Sequence, residues 1–410
     1  MNYNQPCANQ EGVTMSLNSS GLSIKSKLPD VGTTIFSVMS QLALDHQAIN
    51  LGQGFPEFNP DVKLLNLIDE AMRAGHNQYA PMPGIPSLRN QIAAKVNTLY
   101  GAQINPDTDV TVTSGATEAL MVAIQAVVHP GDEVIVIEPN YDSYVPCIRL
   151  AGGQPVIVQL TKPTKDNLRY SMNWQQLKDA ITDKTKLIIL NFPHNPTGIT
   201  LEQSDLDTLA EITRGKNIFL IADEVYEHIV FGDKKFLSFL NHEELKEKSF
   251  VISSFGKTYH STGWKIGYCV ASSKLMNEFR KVHQFTVFSV NTAIQVALAE
   301  FMKEPSHYLE LSAFYEQKHD LLLNGLKDTK FKAIPSDGTF FLLADYSDID
   351  DIAEIEFAIK LTKEVGVTLI PVSAFYKNSD SVEANNHMLR FCFAKSDETL
   401  NQAIERLKNL

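Results

Sequence analysis

The stretch Asp109–Val128, DVTVTSGATEALMVAIQAVV, decides how the rest of the chain is read. It begins with a β-rich run, passes through a turn of small residues, and then places Leu120, Ile124 and Val127 at helical spacing. Pro130-Gly131 stops that helix. Strand, small-residue turn and helix together make the repeating unit of an α/β domain. The unit recurs between Val110 and Phe255, where EVIVIE, QPVIVQL, KLIILNF, IFLIAD and FVISSF are further strand candidates. Most are near-continuous apolar runs, as strands covered on both faces require. A mainly parallel sheet flanked by helices is the expected core.

The pattern changes near residue 305. HYLELSAFYEQKHDLLLNGLK reads as helical, IPSDGTFFLLADY as hairpin-like, and DETLNQAIERLKNL as a closing helix. These make a smaller α+β domain, beside which TTIFSVMSQLALDHQ is expected to pack. The organisation expected is a flexible N-terminal extension over 1–25, a small domain from 26–58 together with 305–410, and a large domain over 59–304.

The chain has 410 residues, 44% hydrophobic and 20% charged, with a net charge of −12. That composition supports a sizeable core. The acidic balance argues against nucleic acid as a partner. No apolar run approaches the roughly 20 residues that span a bilayer, so no membrane association is expected. The first 25 residues lack the features of a secretory or mitochondrial signal. Cys7, Cys147, Cys269 and Cys392 are far apart and form no CxxC pair. Buried free thiols in a cytoplasmic protein are the expectation. The eleven histidines show no ligand spacing, and no metal site is expected.

In open α/β sheets ligands bind beyond the carboxyl ends of the strands. Ser114-Gly115-Ala116-Thr117 opens a helix there, a turn whose free N–H groups suit a phosphate. Tyr141 follows the next strand and offers a flat ring. Asn195-Pro196 marks a sharp turn and a candidate cis bond. Asp223 ends an apolar strand, where a carboxylate needs a cation or a donor, and Tyr226 follows it. Ser253, Ser254 and Lys257 end the last run. A phosphate cradle, an aromatic plate, an amide, a carboxylate, a phenol and an amine fit one ligand, pyridoxal phosphate. Lysine bonds its aldehyde and Asp pairs with its ring nitrogen.

INLGQGFPEF, NQYAPMPGIPSLR, SGATEAL, NFPHNPTG, ADEVYEHIVF, SSFGKTYHSTGWKIGY and MLRFCFAK occur in that order. From about Lys27 to Leu410 the chain resembles the fold-type I, class I/II aminotransferases. Within them it is similar to the bacterial methionine aminotransferases and to the kynurenine/glutamine branch. The resemblance implies a seven-stranded large-domain sheet and a homodimer with shared active sites. It makes Lys257 the residue that carries the cofactor and moves the substrate Cα proton, with a lowered pKa. Asp223 would keep the ring nitrogen protonated, Asn195 and Tyr226 would bond the phenolic oxygen, and Tyr141 would stack on the ring. Lys265, Ser254, Gly115, Ala116 and Thr117 would hold the phosphate. The family usually has Arg at the position of Lys265, and lysine lacks its bidentate fork. His260 and Ser261 also depart from the commonest pattern. Tyr79 would reach the neighbouring subunit's phosphate.

By the same resemblance, Arg390 would clamp the substrate α-carboxylate and Gly54 would let backbone approach it. Dicarboxylate-specific members carry a second arginine near the position of HQFTVFSVNT, which has none. A pocket made with Phe288 would favour methionine, phenylalanine, tyrosine, leucine, glutamine or kynurenine, with methionine favoured and a 2-oxo acid as acceptor. Cysteine-S-conjugate β-lyase and kynurenine aminotransferase activities are the alternatives on the same site. A cofactor-sensing regulator would need a basic winged-helix module, which the short polar extension does not provide.

Overall fold

The computed structural model describes residues 23–164, 167–379, 381 and 384–410. Residues 1–22 of the expected flexible extension, with Cys7, lie outside the described residues.

The elements that position the site are α1 (Ile35–Asp45), α2 (Pro86–Tyr100), β1 (Val110–Thr113), α3 (Gly115–Val127), β2 (Glu133–Glu138), β3 (Gln154–Gln159), β4 (Thr185–Asn191), β5 (Phe219–Asp223), β6 (Ser249–Ser254) and β7 (Gly267–Val270). Beyond them come α4 (Ser273–Thr286), β8 (Lys332–Ile334), β9 (Phe341–Asp345), β10 (Ile370–Pro371) and β11 (Met388–Cys392). Strands β1 to β7 form one seven-stranded sheet in the order β1-β7-β6-β5-β4-β2-β3. β7 pairs antiparallel with both β1 and β6, and the remaining pairs are parallel.

The apolar runs are continuous because both faces of the sheet are covered. In β4, Leu187 and Ile189 pack into one buried cluster with α3, while Ile188 and Leu190 enter another on the opposite face. β3 lies at the edge of the sheet, and its side chains are mostly half-buried. The run GYCV of β7 is short and begins at a glycine, so it escaped the reading by apolar runs.

Strands β8 to β11 form a second sheet, in the order β10-β11-β9-β8 and antiparallel throughout. Its core is aromatic, with Phe340, Phe341, Tyr346, Phe357, Phe391 and Phe393 buried. Each such ring contributes about 1.5–3 kcal/mol relative to exposure. The N-terminal segment joins this part of the chain: Ile49–Asn50 pairs in parallel with Val367–Thr368. Cys147, Cys269 and Cys392 are buried and free, as expected.

Candidate active site

Strand register brings the polar residues to one edge. Asn191 stands opposite Asp223, Asp223 opposite Ile252, and Gly267 opposite both Ser254 and Thr113. The parallel strands therefore end within two residues of one level, and the residues after them share one crevice.

The phosphate-suited corner lies at the start of α3. The first N–H groups of a helix have no intrahelical partner, and Gly115 turns the chain into α3 with φ of +75°. Lys265 reaches across this turn and donates to the Thr117 hydroxyl at 3.2 Å. It sits in the left-handed region at φ +54°, a conformation uncommon for non-glycine residues. Gly267 lets the strands close here, since a Cβ on it would stand 2.7 Å from the Ser253 carbonyl and 2.9 Å from the Ala116 nitrogen.

Asp223 is buried, and burial pushes its carboxyl up to about 6 against the pull of its Tyr144 hydrogen bond and of Lys257. Tyr144 donates to Oδ2 at 2.6 Å, but Oδ1 is buried with no hydrogen-bond partner. Asn191 braces the strand end, donating to the Asp223 carbonyl at 2.8 Å and accepting from the Asn195 N–H at 2.9 Å. The Asn195–Pro196 bond is cis. Lys257 lies on the short helix Phe255–Thr258 behind Ser254, which accepts from its N–H. Its ammonium donates to the Gly54 carbonyl at 2.8 Å. Burial lowers it to about 8, with Arg390 and Lys265 adding to the shift.

Arg390 comes from β11 in the other sheet and is 1% exposed. It donates to Asn195 Oδ1 at 2.8 Å and to the Gly52 carbonyl at 3.0 Å, and its Nε is unpaired. Its guanidinium lies 3.9 Å from the centre of the Phe341 ring. A Cβ on Gly54 would press on Phe341 at 3.0 Å and approach Arg390 at 3.7 Å.

One cavity of about 620 Å³ is lined by Gly54, Gly115, Ala116, Thr117, Tyr141, Asn195, Asp223, Tyr226, Ser254, Lys257, Lys265 and Arg390 together. Tyr79 and Phe288 are not among its lining residues. They are 83% and 50% exposed and meet each other edge to face at 5.3 Å. The sequence reading missed Asn191 and Tyr144, which hold Asp223, and Phe36, Gln53 and Phe341 on the cavity wall. Tyr144 had a signal, three residues after Tyr141 in NYDSY. Phe36 and Phe341 had none, because their runs read simply as core.

These residues fit pyridoxal phosphate. The unpartnered Oδ1 of Asp223 suits a protonated ring nitrogen, and the α3 turn with Lys265 and Ser254 suits the phosphate.

The model for aminotransferase class I and II matches residues 46–407. The chain belongs to that family. Its members depend on pyridoxal phosphate, and the enzyme is a transferase of amino groups. A methionine aminotransferase of Escherichia coli is 47% identical over 94% of this chain and 98% of its own. A solved Escherichia coli structure identified with a methionine aminotransferase function superposes with a TM-score of 0.91, at 47% identity over 95% of this chain and all (100%) of that one. A probable N-succinyldiaminopimelate aminotransferase of Mycobacterium tuberculosis is 38% identical over 94% and 98% of the two chains. The human kynurenine–oxoglutarate transaminase 1 is 33% identical over 90% and 93%.

Proposed function

We propose that this aminotransferase moves the amino group of a neutral apolar or aromatic amino acid to a 2-oxo acid, with methionine the favoured donor. Arg390 carries the reading. It is the one arginine among the described residues that line the cavity, and the wall beside it holds Phe36, Phe55 and Phe341. A donor's α-carboxylate takes the guanidinium. A second carboxylate would find no second arginine among the described lining residues. The likeness to the Escherichia coli methionine aminotransferase supports the choice of donor.

The geometry supports the following roles. The first-turn N–H groups of α3, with Ser254 and Lys265, hold the phosphate. Asp223, held by its hydrogen bond from Tyr144, would keep a proton on the ring nitrogen. Asn195 gives its Oδ1 to Arg390, which leaves its amide Nδ2 to donate to the phenolic oxygen beside Tyr226. Tyr141, on the cavity wall, would cover a face of the ring. Lys257, lowered by burial, is the base that moves the proton of the substrate Cα. Pyridoxal phosphate, when bound, supplies the electron sink for that proton's departure.

We read the working unit as a cytoplasmic homodimer in which Tyr79 and Phe288 serve the neighbouring subunit's site; their exposure supports this. Residues 59–304 form the large domain, and 26–58 with 305–410 the small one. The test is a panel of donors, from methionine, phenylalanine, leucine, glutamine and kynurenine to aspartate and N-succinyldiaminopimelate, followed by single-turnover loss of the bound-cofactor absorbance. Either of the last two donors, each with a carboxylate beyond the α-carboxylate, reacting as efficiently as methionine would overturn the reading.

A further inference from the structure

Behind Tyr226, polar groups are packed into the interior. Asp223 and Tyr226 line the cavity, whereas Glu224 and Glu227 from the same turn do not. The Lys95 side chain on α2 is 6% exposed and that of Glu227 is 3% exposed. Lys95 Nζ donates to Glu227 Oε1 at 2.7 Å and to the Tyr268 hydroxyl at 2.7 Å, and meets His228 Nε2 at 3.1 Å. Tyr100 donates to Glu227 Oε2 at 2.5 Å, and Tyr268 to Oε1 at 3.0 Å. All three ammonium hydrogens and both carboxylate oxygens are used. Burial, aided by Lys95, pushes the His228 imidazole down to about 3, so it serves as a neutral acceptor. Burial also disfavours the Glu227 carboxylate, but Lys95 and the hydrogen bonds outweigh it and hold that group at about 2.

A buried ion pair is a poor device for stability alone, because desolvation offsets its attraction and apolar residues of equal volume often do better. The reach of this one is more specific. Glu227 directly follows Tyr226 in the chain. Tyr268 directly follows Gly267, at the strand contact beside Ser253 and Ala116. With Tyr268, the pair thus ties α2 to β7 and to the turn after β5, where Tyr226 follows Asp223.

We propose that the Lys95–Glu227 pair is a positioning element of the active site, fixing where Tyr226 and Asp223 stand against the cofactor. The proposal rests on the reading of the cavity given above, so Tyr226→Phe is the reference variant. In the holoenzyme, three quantities are measured: kcat and KM, the pH midpoint of the bound-cofactor absorbance, and the thermal midpoint.

Glu227→Gln is expected to lower kcat about tenfold to a hundredfold while KM changes less than about threefold, as a misplacement near 1 Å does. Its absorbance midpoint should move in the direction seen for Tyr226→Phe. If Glu227→Gln does not fold, the double variant Lys95→Met/Glu227→Gln removes both charges together; it should fold and show both changes. Wild-type kcat and absorbance midpoint in the soluble variant, whatever its thermal midpoint, would overturn the proposal. An unmoved midpoint in Tyr226→Phe would overturn the cavity reading, and the proposal with it.

Discussion

Tyr144 and Asp223 form an unequal contact: the phenol donates to Oδ2 at 2.6 Å, while Oδ1, equally buried, has no partner. A carboxylate half-served in the interior is a cost to the fold that the cofactor's ring nitrogen removes. In the cofactor-free protein burial raises this carboxyl to about 6 from an ordinary 3.8. A raised acid favours folding at low pH and loses that advantage as pH rises through the folded value. Asp223→Asn should therefore match the cofactor-free wild type near pH 4 and exceed it by about 2–3 kcal/mol at pH 7. Denaturant unfolding at the two pH values checks this, and an advantage already present at pH 4 would refute it. In the holoenzyme, Asp223→Ala should lose activity by orders of magnitude, about tenfold for each 1.4 kcal/mol of transition-state stabilisation removed.

Lys257→Ala should abolish turnover while leaving the phosphate-holding groups intact. Cofactor would then bind without its covalent link, which absorbance of the native protein and the mass of the protein after borohydride reduction, compared with wild type treated alike, report. Activity near that of the wild type, or a cofactor attached at Lys265, would refute the assignment.

Arg390→Ala should damage every donor together, because every amino acid presents the same α-carboxylate. Methionine should exceed aspartate by at least about a hundredfold in kcat/KM, since an unpaired carboxylate in an apolar pocket costs several kcal/mol. Comparable efficiencies would mean that a cation reaches the donor's side chain from elsewhere.

Tyr79 belongs to no wall of its own chain's cavity, which allows a sharp test of subunit sharing. Co-expressed Tyr79→Ala and Lys257→Ala chains should form mixed dimers with one intact site, made of the lysine of one subunit and the tyrosine of the other. Recovery of activity above both parent variants is expected; none would mean that Tyr79 acts within its own subunit or not at all.

Gly267→Ala should weaken cofactor binding. The added methyl would crowd the Ser253 carbonyl and the Ala116 nitrogen at 2.7 and 2.9 Å. Overpacking of that kind costs about 1–3 kcal/mol, which is about fivefold to 150-fold in affinity. Equilibrium titration with cofactor measures it, and unchanged affinity would show that the α3 turn does not hold the phosphate.

Much of the cofactor end was legible from the chain alone, for a physical reason. A polar residue that ends a buried strand must be answered by something, so Asp223, Asn195 and Lys257 announce themselves against their apolar neighbours. The substrate end was legible mainly by resemblance. Arg390 sits inside MLRFCF, and nothing local distinguishes its guanidinium from a surface charge until β11 is seen paired between β9 and β10. Phe36 and Phe341 stayed hidden because an aromatic in the core and one at a site look alike in a single sequence. β7 stayed hidden because four residues beginning at glycine carry too little periodicity to mark a strand.

The burial of Arg390 has a further consequence, for dissolved ions. Surface charges lose much of their mutual attraction over about 10 Å in 0.1 M salt, whereas buried pairs are screened far less. A guanidinium 1% exposed and roofed by the Phe341 ring is largely shielded from that ionic atmosphere. Its grip on a donor's carboxylate should therefore be nearly indifferent to ionic strength, in dilute buffer and in a crowded electrolyte alike.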